Sequence, residues 1–296
     1  MKKLDIKTPV DISNIDKLKS EAYDRIISDP IVHKYIKENE IPLSFVNDNL
    51  GLFLRMEQEN KPCLKCKGYQ FCKKEQVLKG YITYVESDES ISYKKCSHYE
   101  DFLKIADSYV YRDFPDEDVF IESRDLNLID PATKSLVLNV SKALKNNESL
   151  YISSKESLEI VSKVLIWATN QTLKTEHKVA FINASSLRDK IETLNHFDKD
   201  KYFEFENKIK TVDVLIINGL GNEESSNLSN FFKYTYLMDL FSYRQQHGLL
   251  TFVSSYYSLK ELKEVYSGYN LKSKTDLLIK KINEHVKEIV FNSLLK

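Results

Sequence analysis

A chain of 296 residues with 42% hydrophobic content has the length and the apolar content of two ordinary domains. Its formal net charge of −1 excludes a strong overall attraction to nucleic acid or to an anionic membrane. The N-terminal residues, Met1 to Ile15, are polar, and no apolar run approaches the roughly 18 residues that a membrane span requires. We therefore expect a cytoplasmic protein without a membrane segment.

The first part of the chain is predicted to be mainly helical. Apolar residues from Ile15 to Ile27 keep helical spacing, and Asp29-Pro30 begins a second helix, because proline is tolerated in a first helical turn. A third helix is predicted from Val46 to Leu54. Further on, Tyr81–Val85 and Ile91–Tyr93 have the composition of two strands around a polar turn. Residues 1–100 are therefore predicted to form a small helical domain that includes a hairpin.

A connector is predicted at residues 101–125, which are aromatic and acidic and are interrupted by Pro115. In residues 126–296, short β-rich runs alternate with helices, which predicts an α/β fold with a mainly parallel sheet covered on both faces. The predicted strands are Leu150–Ile152, Val179–Ile182, Val212–Ile217, Leu249–Ser254 and Ile289–Phe291. The predicted helices span about 132–145, 155–174, 185–195, 200–209, 226–246, 258–266 and 273–286.

The cysteines form one cluster with the spacing C-x2-C-x5-C-x23-C. In the cytoplasm, clustered cysteines favour a metal site over disulfides, and structural zinc takes four sulfur or nitrogen ligands in a tetrahedron. We therefore predict one structural Zn²⁺ site, with His98 as an alternative to one of the cysteines. The other interpretations are four ordinary buried thiols or a redox pair. The predicted zinc ligands are Cys63, Cys66, Cys72 and Cys96.

Lysines surround this cluster, and Glu75 is the one acidic residue between positions 61 and 80. Tyr69 and Phe71 lie among the lysines. Two interpretations stay open: a surface that binds single-stranded nucleic acid by charge and base stacking, or lysines that offset the negative charge of a zinc–thiolate centre. The lysines are Lys61, Lys65, Lys67, Lys73, Lys74 and Lys79.

The segment after the predicted strand Leu150–Ile152 lacks a phosphate-binding loop. Such a loop has the pattern G-x-x-x-x-G-K-[ST], in which glycines let backbone N–H groups approach phosphate. Residues 153–161 contain no glycine, and none occurs between Gly80 and Gly219. Ser153 and Glu156 instead predict a capping box that satisfies the N–H groups of the next helix. We interpret the nearby Lys155 as a solvated surface residue.

A second ATP-handling feature is also missing. The apolar strand Val212–Ile217 ends at Asn218-Gly219, where a nucleotide hydrolase carries acidic residues that handle magnesium and water. A neutral asparagine is a poor ligand for Mg²⁺, which prefers charged oxygen. We therefore predict no catalytic residues and no binding of ATP or Mg²⁺.

Taken in linear order, these segments resemble the bacterial DnaI-type primosomal helicase loaders, relatives of the DnaC loaders. In the segment that is similar to the family's Walker B motif, two acidic positions are replaced by Asn218 and Gly219, while Gly221 and Glu223 remain. In the sensor-like strand, Tyr256 replaces a polar asparagine. The resembling segments are Asp29–Val32 with the cysteines, Leu150–Ile152, Asp213–Glu223, Tyr243-Arg244 with Leu250–Ser255, and Leu278–Ile282, where lysines replace arginines.

The resemblance implies an AAA+-like P-loop fold preceded by a small helical zinc-binding domain, with a replicative helicase as the partner of residues 1–100. Because the ATP-handling positions are the ones replaced, we expect a primosomal DNA replication accessory protein that is not an enzyme. Two alternatives stay open: an ATP-dependent helicase loader with an unusual nucleotide site, and a zinc adaptor outside replication. Single-stranded DNA is a further candidate partner.

Overall fold

The structure is a computed structural model that describes residues 12–173, 177–223, 230–267 and 271–293. The chain divides into two compact units, Met1–Asp101 and Phe102–Lys296. The polar N-terminus up to residue 11, and two predicted helix ends at residue 174 and at residues 226–229, lie outside the described residues. Within the described ranges, no helix is long and apolar enough to cross a bilayer.

Four helices and a β-hairpin build the first unit around an apolar core. Ile26, Val32, Val46, Phe53 and Val85 are fully or almost fully buried in this core. Burial of such side chains is the main source of its stability, at about 1.5–3 kcal/mol for each. The elements are α1 (Ile12–Ser28), α2 (Pro30–Glu38), α3 (Leu43–Asp48), α4 (Leu50–Asn60), β1 (Tyr81–Val85) and β2 (Ile91–Lys95); α5 (Ser97–Ala106) includes the division between the units.

Helix α2 begins as predicted. The carboxylate of Asp29 accepts the backbone N–H groups of Ile31 and Val32 at 2.9 and 3.0 Å, which satisfies two N–H groups of the first turn. The predicted third helix is divided into α3 and α4. The division lies at Asn49, whose backbone leaves the helical conformation at φ −112° and ψ 30° and whose side-chain N–H donates to the carbonyl of Phe45 at 3.2 Å.

The second unit contains a six-stranded sheet in the order β3-β5-β6-β7-β4-β8, and every neighbouring pair of strands is parallel. The predicted α/β fold with helices on both faces is therefore confirmed. Its strands are β3 (Tyr109–Arg112), β4 (Leu150–Ser153), β5 (Val179–Asn183), β6 (Val214–Asn218), β7 (Leu250–Ser255) and β8 (Lys287–Val290). Its helices are α6 (Pro131–Asn146), α7 (Leu158–Leu173), α8 (Ala184–Phe197), α9 (Lys199–Thr211), a π-helical turn (Phe232–Leu237) with α10 (Met238–Gln246), α11 (Leu259–Tyr266) and α12 (Lys272–His285).

Two apolar cores cover the two faces of the sheet. Successive residues of a strand point to opposite faces, so Tyr151 and Val253 belong to one core while Ile152 and Phe252 belong to the other. Because both faces are buried, these strands read as continuous apolar runs in the sequence.

Residues 101–125, which were predicted to be a connector, contain a strand of the second unit. Tyr109–Arg112 forms the edge strand β3, which pairs with β5. The hydroxyl of Tyr109 is bonded to Thr169 and Asn170 at 2.9 and 2.7 Å, and its ring packs edge-on against Phe114. Tyr109 and Phe114 therefore pack in the core of the second unit.

Arg244 is a fully buried cation that ties α10 to the sheet. Its guanidinium donates to the hydroxyl of Thr251 at 2.8 Å and to the carbonyls of Val212 and Lys210 at 2.9 and 3.0 Å. Burial lowers the pKa of Arg244 to about 9. These bonds use the planar shape of the guanidinium, which presents several donors at once, so the Tyr243-Arg244 segment serves the fold.

Candidate functional site

A site in the second unit is expected at the carboxyl ends of the strands, because open parallel sheets bind ligands there. The structure brings Ser153 of β4, Asn183 of β5, Asn218 of β6 and Ser255 of β7 to this edge. Of these, Ser153 and Asn218 lie where the sequence lacks a phosphate-binding loop and a magnesium-binding acidic residue. Asn183 was missed, although its position directly after a predicted strand was a usable signal.

The segment between β4 and α7 forms bonds within the protein where a phosphate-binding loop would have free N–H groups. Ser154 donates its N–H to the carbonyl of Ser255 at 2.8 Å, and Ser157 donates its N–H to the hydroxyl of Ser154 at 3.1 Å. The predicted capping box is wrong: α7 begins at Leu158, and the buried Ser153 hydroxyl has no partner among the described residues. The hydroxyl that accepts an N–H group in this segment is that of Ser154.

Lys155 lies in this segment and points to a neighbouring helix. Its ammonium pairs with the carboxylate of Glu261 at 2.5 Å, and its side chain is mostly exposed, as predicted. The pKa of Glu261 falls to about 2, first because of Lys155 and then because of the N–H and hydroxyl of Ser258. Lys155 is thus paired with a carboxylate that stays ionised.

Asn218 is the centre of a neutral hydrogen-bond network at the carboxyl edge. Its side-chain oxygen accepts the hydroxyls of Ser162 and Ser254 at 2.7 and 2.6 Å. Its amide nitrogen donates to the side-chain oxygen of Asn183 at 2.8 Å. Asn183 in turn donates its backbone N–H to the carboxylate of Asp113 at 3.0 Å. The network joins β5, β6, β7 and α7, and both the oxygen and the nitrogen of the Asn218 side chain have protein partners.

Glu223, at the end of the Asp213–Glu223 segment, is buried and has structural partners. Its carboxylate accepts the N–H of Gly221 at 2.7 Å and the hydroxyl of Tyr266. Burial raises the pKa of Glu223. Gly221 has a positive φ of 96°, and a Cβ there would lie 2.8 Å from the ring of Tyr257. This segment therefore holds a tight turn against the core.

The cysteines are in the first unit, at turns and at the end of a strand. Cys63 and Cys66 belong to one 3₁₀ turn, in which the N–H of Cys66 donates to the carbonyl of Cys63 at 3.2 Å. Cys72 ends the next turn, and Cys96 follows β2, with its N–H bonded to the carbonyl of Gly80 at 2.9 Å. All are free and partly buried thiols.

These thiols are close enough to influence one another. Burial raises the pKa of Cys63; Lys74 opposes that rise, and Cys72, Cys66 and Cys96 each add to it. Within the part of the chain that the structure describes, no three histidine, cysteine, aspartate or glutamate side chains are arranged to hold a metal ion. The donor set, all soft thiols at turns, nevertheless has the chemistry that zinc prefers.

The lysines around the cysteines differ in their exposure. Most are exposed, whereas Lys74 is 9% exposed. Of the interleaved aromatics, Phe71 is 53% exposed and Tyr69 is buried, stacked on Tyr99 with the ring centroids 4.9 Å apart. Phe71 is therefore the interleaved ring with a free face large enough to contact a partner.

No protein-family model matches the chain, and no curated protein matches its sequence. Several solved structures are similar in fold, and two of them are described here. The crystal structure of DnaI has a TM-score of 0.55 and 16% identity, covering 63% of this chain and 98% of that chain. A Streptococcus pyogenes serotype M3 protein, described as a primosome component, has a TM-score of 0.52 and 15% identity, covering 64% of this chain and 96% of that chain. The predicted likeness to DnaI-type proteins is thus confirmed at the level of the fold.

The Asn218 network predicts the effect of restoring an acidic side chain. We expect Asn218→Asp to lower the free energy of unfolding of the second unit by about 1–3 kcal/mol at neutral pH, because a carboxylate oxygen would replace the N–H group that faces Asn183. Trp167 on α7 is the single tryptophan, so its fluorescence during urea unfolding reports on this unit.

The matched control is Asn207→Asp, at an exposed position on α9, which should leave the unfolding midpoint within experimental error. An Asn218→Asp variant as stable as the control would show that the network does not constrain this edge of the sheet.

Proposed function

We propose that this protein is a non-catalytic accessory protein of DNA replication that binds the replicative helicase through its first unit. The observation that carries the proposal is the combination of a DnaI-like fold with an Asn218 network in place of acidic residues. The first supports a loader-like role, and the second supports a role without ATP hydrolysis.

The case against ATP chemistry rests on three features of the same edge. The loop after β4 forms internal bonds and has no glycine, Lys155 pairs with Glu261, and Asn218 presents no free oxygen to a cation. Phosphate binding needs approachable N–H groups and a free positive charge, and Mg²⁺ needs carboxylate or water oxygens. A helicase loader that hydrolyses ATP would need each of these.

The case for a helicase contact in the first unit rests on its exposed apolar residues. Phe71, Leu64 and Val77 are 53%, 49% and 87% exposed, and in the sequence they lie close to Cys63, Cys66 and Cys72. Aromatic side chains that stay exposed in a free protein are favoured as contact centres in a complex. The exposed lysines of this region would surround such a contact and give it a positive rim.

Zinc is the proposed cofactor of this unit, held by Cys63, Cys66, Cys72 and Cys96. Bound zinc would supply folding free energy to the region between α4 and α5, which has few apolar core residues of its own. The cysteines lie at turns, and backbone hydrogen bonds hold the main chain of these turns in place.

Helicase binding is tested with the intact chain and the replicative helicase of the same organism. We expect Phe71→Ala to weaken binding by about tenfold, since a central aromatic contact contributes at least about 1–2 kcal/mol. The control is Phe203→Ala, which removes a ring that is 60% exposed in the second unit and should leave the affinity unchanged. Surface plasmon resonance at moderate salt measures both. Failure of the wild-type chain to bind would remove the loader-like role.

Nucleotide binding is tested by calorimetry. We expect no heat when ATP and Mg²⁺ are added at millimolar concentration, and no change in the urea midpoint of Trp167 fluorescence, because a ligand that binds the folded state would raise that midpoint. Binding at micromolar affinity would overturn the non-catalytic role and favour an ATP-dependent loader with an unusual site.

Zinc is tested by elemental analysis of protein purified without added metal, which should contain about one zinc per chain, as one four-ligand site requires. Changing both Cys63 and Cys66 to serine should remove the metal and reduce the helical circular dichroism of the first unit. Trp167 fluorescence should remain native, because it lies in the second unit. A double variant that keeps the full wild-type dichroism without metal would contradict the coupling of zinc to folding.

A further inference from the structure

Helix α6 in the second unit carries charge of one sign. It contains three lysines and no acidic residue. On α9, by contrast, three lysines each pair with the carboxylate of a neighbouring side chain. Within the part of the chain that the structure describes, no acidic side chain pairs with the exposed lysines of α6, which are Lys134, Lys142 and Lys145.

The three lysines lie on the same side of α6. An α-helix turns by about 100° for each residue, so Lys145 and Lys142 lie about 20° and 80° around the axis from Lys134. Leu138 lies between them at about 40°, and its side chain is 53% exposed. We call the surface formed by Lys134, Leu138, Lys142 and Lys145 the basic strip, and its length along the helix is about 16 Å.

An apolar cavity adjoins the basic strip at the C-terminal end of α6, where Lys145 is one of its lining residues. The cavity has a volume of about 640 Å³ and lies between the C-terminal halves of α6 and α7 and the first residues of β6 and β7. It is therefore at the amino edge of the sheet, opposite the Asn218 network. This volume is within the range of about 300–1,000 Å³ that is typical of ligand-binding pockets. The apolar lining residues are Leu144, Trp167, Val214, Leu249 and Leu250.

Trp167 gives the cavity a wall of carbon atoms. Its side chain is partly exposed, but its indole nitrogen is buried and has no acceptor among the described residues. The exposed part of the ring is therefore apolar. Such a wall favours an aliphatic or aromatic side chain over a nucleic-acid base, because the polar edge of a base would lose its hydrogen bonds to water.

Asp213 is the acidic residue among those that line the cavity. Its carboxylate accepts the backbone N–H of Lys178 at 2.7 Å, and Nδ1 of His177 lies 3.7 Å from it. The carboxylate thus already has partners within the protein, whereas the lysines of the basic strip have no anion of their own among the described residues. The unmatched charge of this surface is positive.

We propose that the basic strip and the cavity together bind an acidic peptide segment of a partner protein. Carboxylates of the segment lie along the strip, and one apolar or aromatic side chain enters the cavity against Trp167. Charge complementarity selects the partner and speeds its association, while the buried side chain supplies most of the affinity. This surface belongs to the second unit, so the inference is independent of the helicase contact proposed for the first unit.

The test uses the full chain and a short synthetic peptide in which one phenylalanine is flanked by aspartates. Trp167 is the single tryptophan and lines the cavity, so its emission reports entry of the ring. We expect a saturable change in this emission. A peptide with alanine in place of phenylalanine should bind about tenfold more weakly or less, since it lacks the central anchor. A peptide with lysines in place of the aspartates should not bind, because its charge has the same sign as the strip.

Three variants of the protein, studied by calorimetry with the phenylalanine peptide, separate charge from cavity. Lys145→Glu reverses the charge beside the cavity and should weaken binding by about three- to tenfold, as expected for exposed charge pairs. Ser141→Phe places a ring among the lining residues and should weaken binding by about tenfold or more by occupying the cavity. The control is Lys260→Glu, at an exposed position on α11 beyond the opposite edge of the sheet, and it should match wild type. Urea unfolding of each variant checks that the second unit is folded.

The outcomes decide the proposal. It is overturned by a wild-type chain that does not bind the phenylalanine peptide at millimolar concentration. It is also overturned by equal affinity for the alanine peptide, or by wild-type affinity in folded Lys145→Glu or Ser141→Phe. Binding of a single-stranded oligothymidylate that is tighter than peptide binding and is lost in Lys145→Glu would assign the surface to nucleic acid instead.

Discussion

The side chain of Asn218 holds the carboxyl ends of the central strands together by hydrogen bonds. One amide contacts the strand on each side of β6 and the helix that follows β4, and it does so without carrying charge. An aspartate at this position would offer only acceptors, so Asn183 would have to provide a donor or a cation would have to enter. The neutral amide removes that requirement, and the strand ends stay together with protein partners alone.

The strands of the second unit were predictable where a continuous apolar run along the sequence marks them. Apolar runs such as Val179–Ile182 and Val212–Ile217 indicated buried parallel strands, and the structure places both in the middle of the sheet. Strand β3 was missed, because four residues rich in tyrosine beside Pro115 have the composition of a linker. Its strand character comes from packing of Tyr109 and Phe114 against the core, which no local pattern contains.

The site was predictable only in part, for a similar reason. The absent glycines and the asparagine at the end of β6 could be read directly, whereas the bonds from Ser162 and Ser254 to Asn218 join residues 56 and 36 positions away. The burial of Lys74 also depends on distant residues, since its acceptors Asn60 and Tyr81 lie on different elements. In the sequence Lys74 cannot be distinguished from Lys73.

The position of β4 has a consequence for the order in which the second unit folds. Its neighbours in the sheet are β7 and β8, so its backbone pairs with residues made about a hundred positions later. During synthesis the apolar segment Leu150–Ile152 therefore emerges long before either partner strand exists. In ribosome-bound chains this apolar strand would stay unpaired until β7 and β8 have been synthesised. The complete sheet can form only after β8 has been synthesised, so the second unit closes late in the order of synthesis.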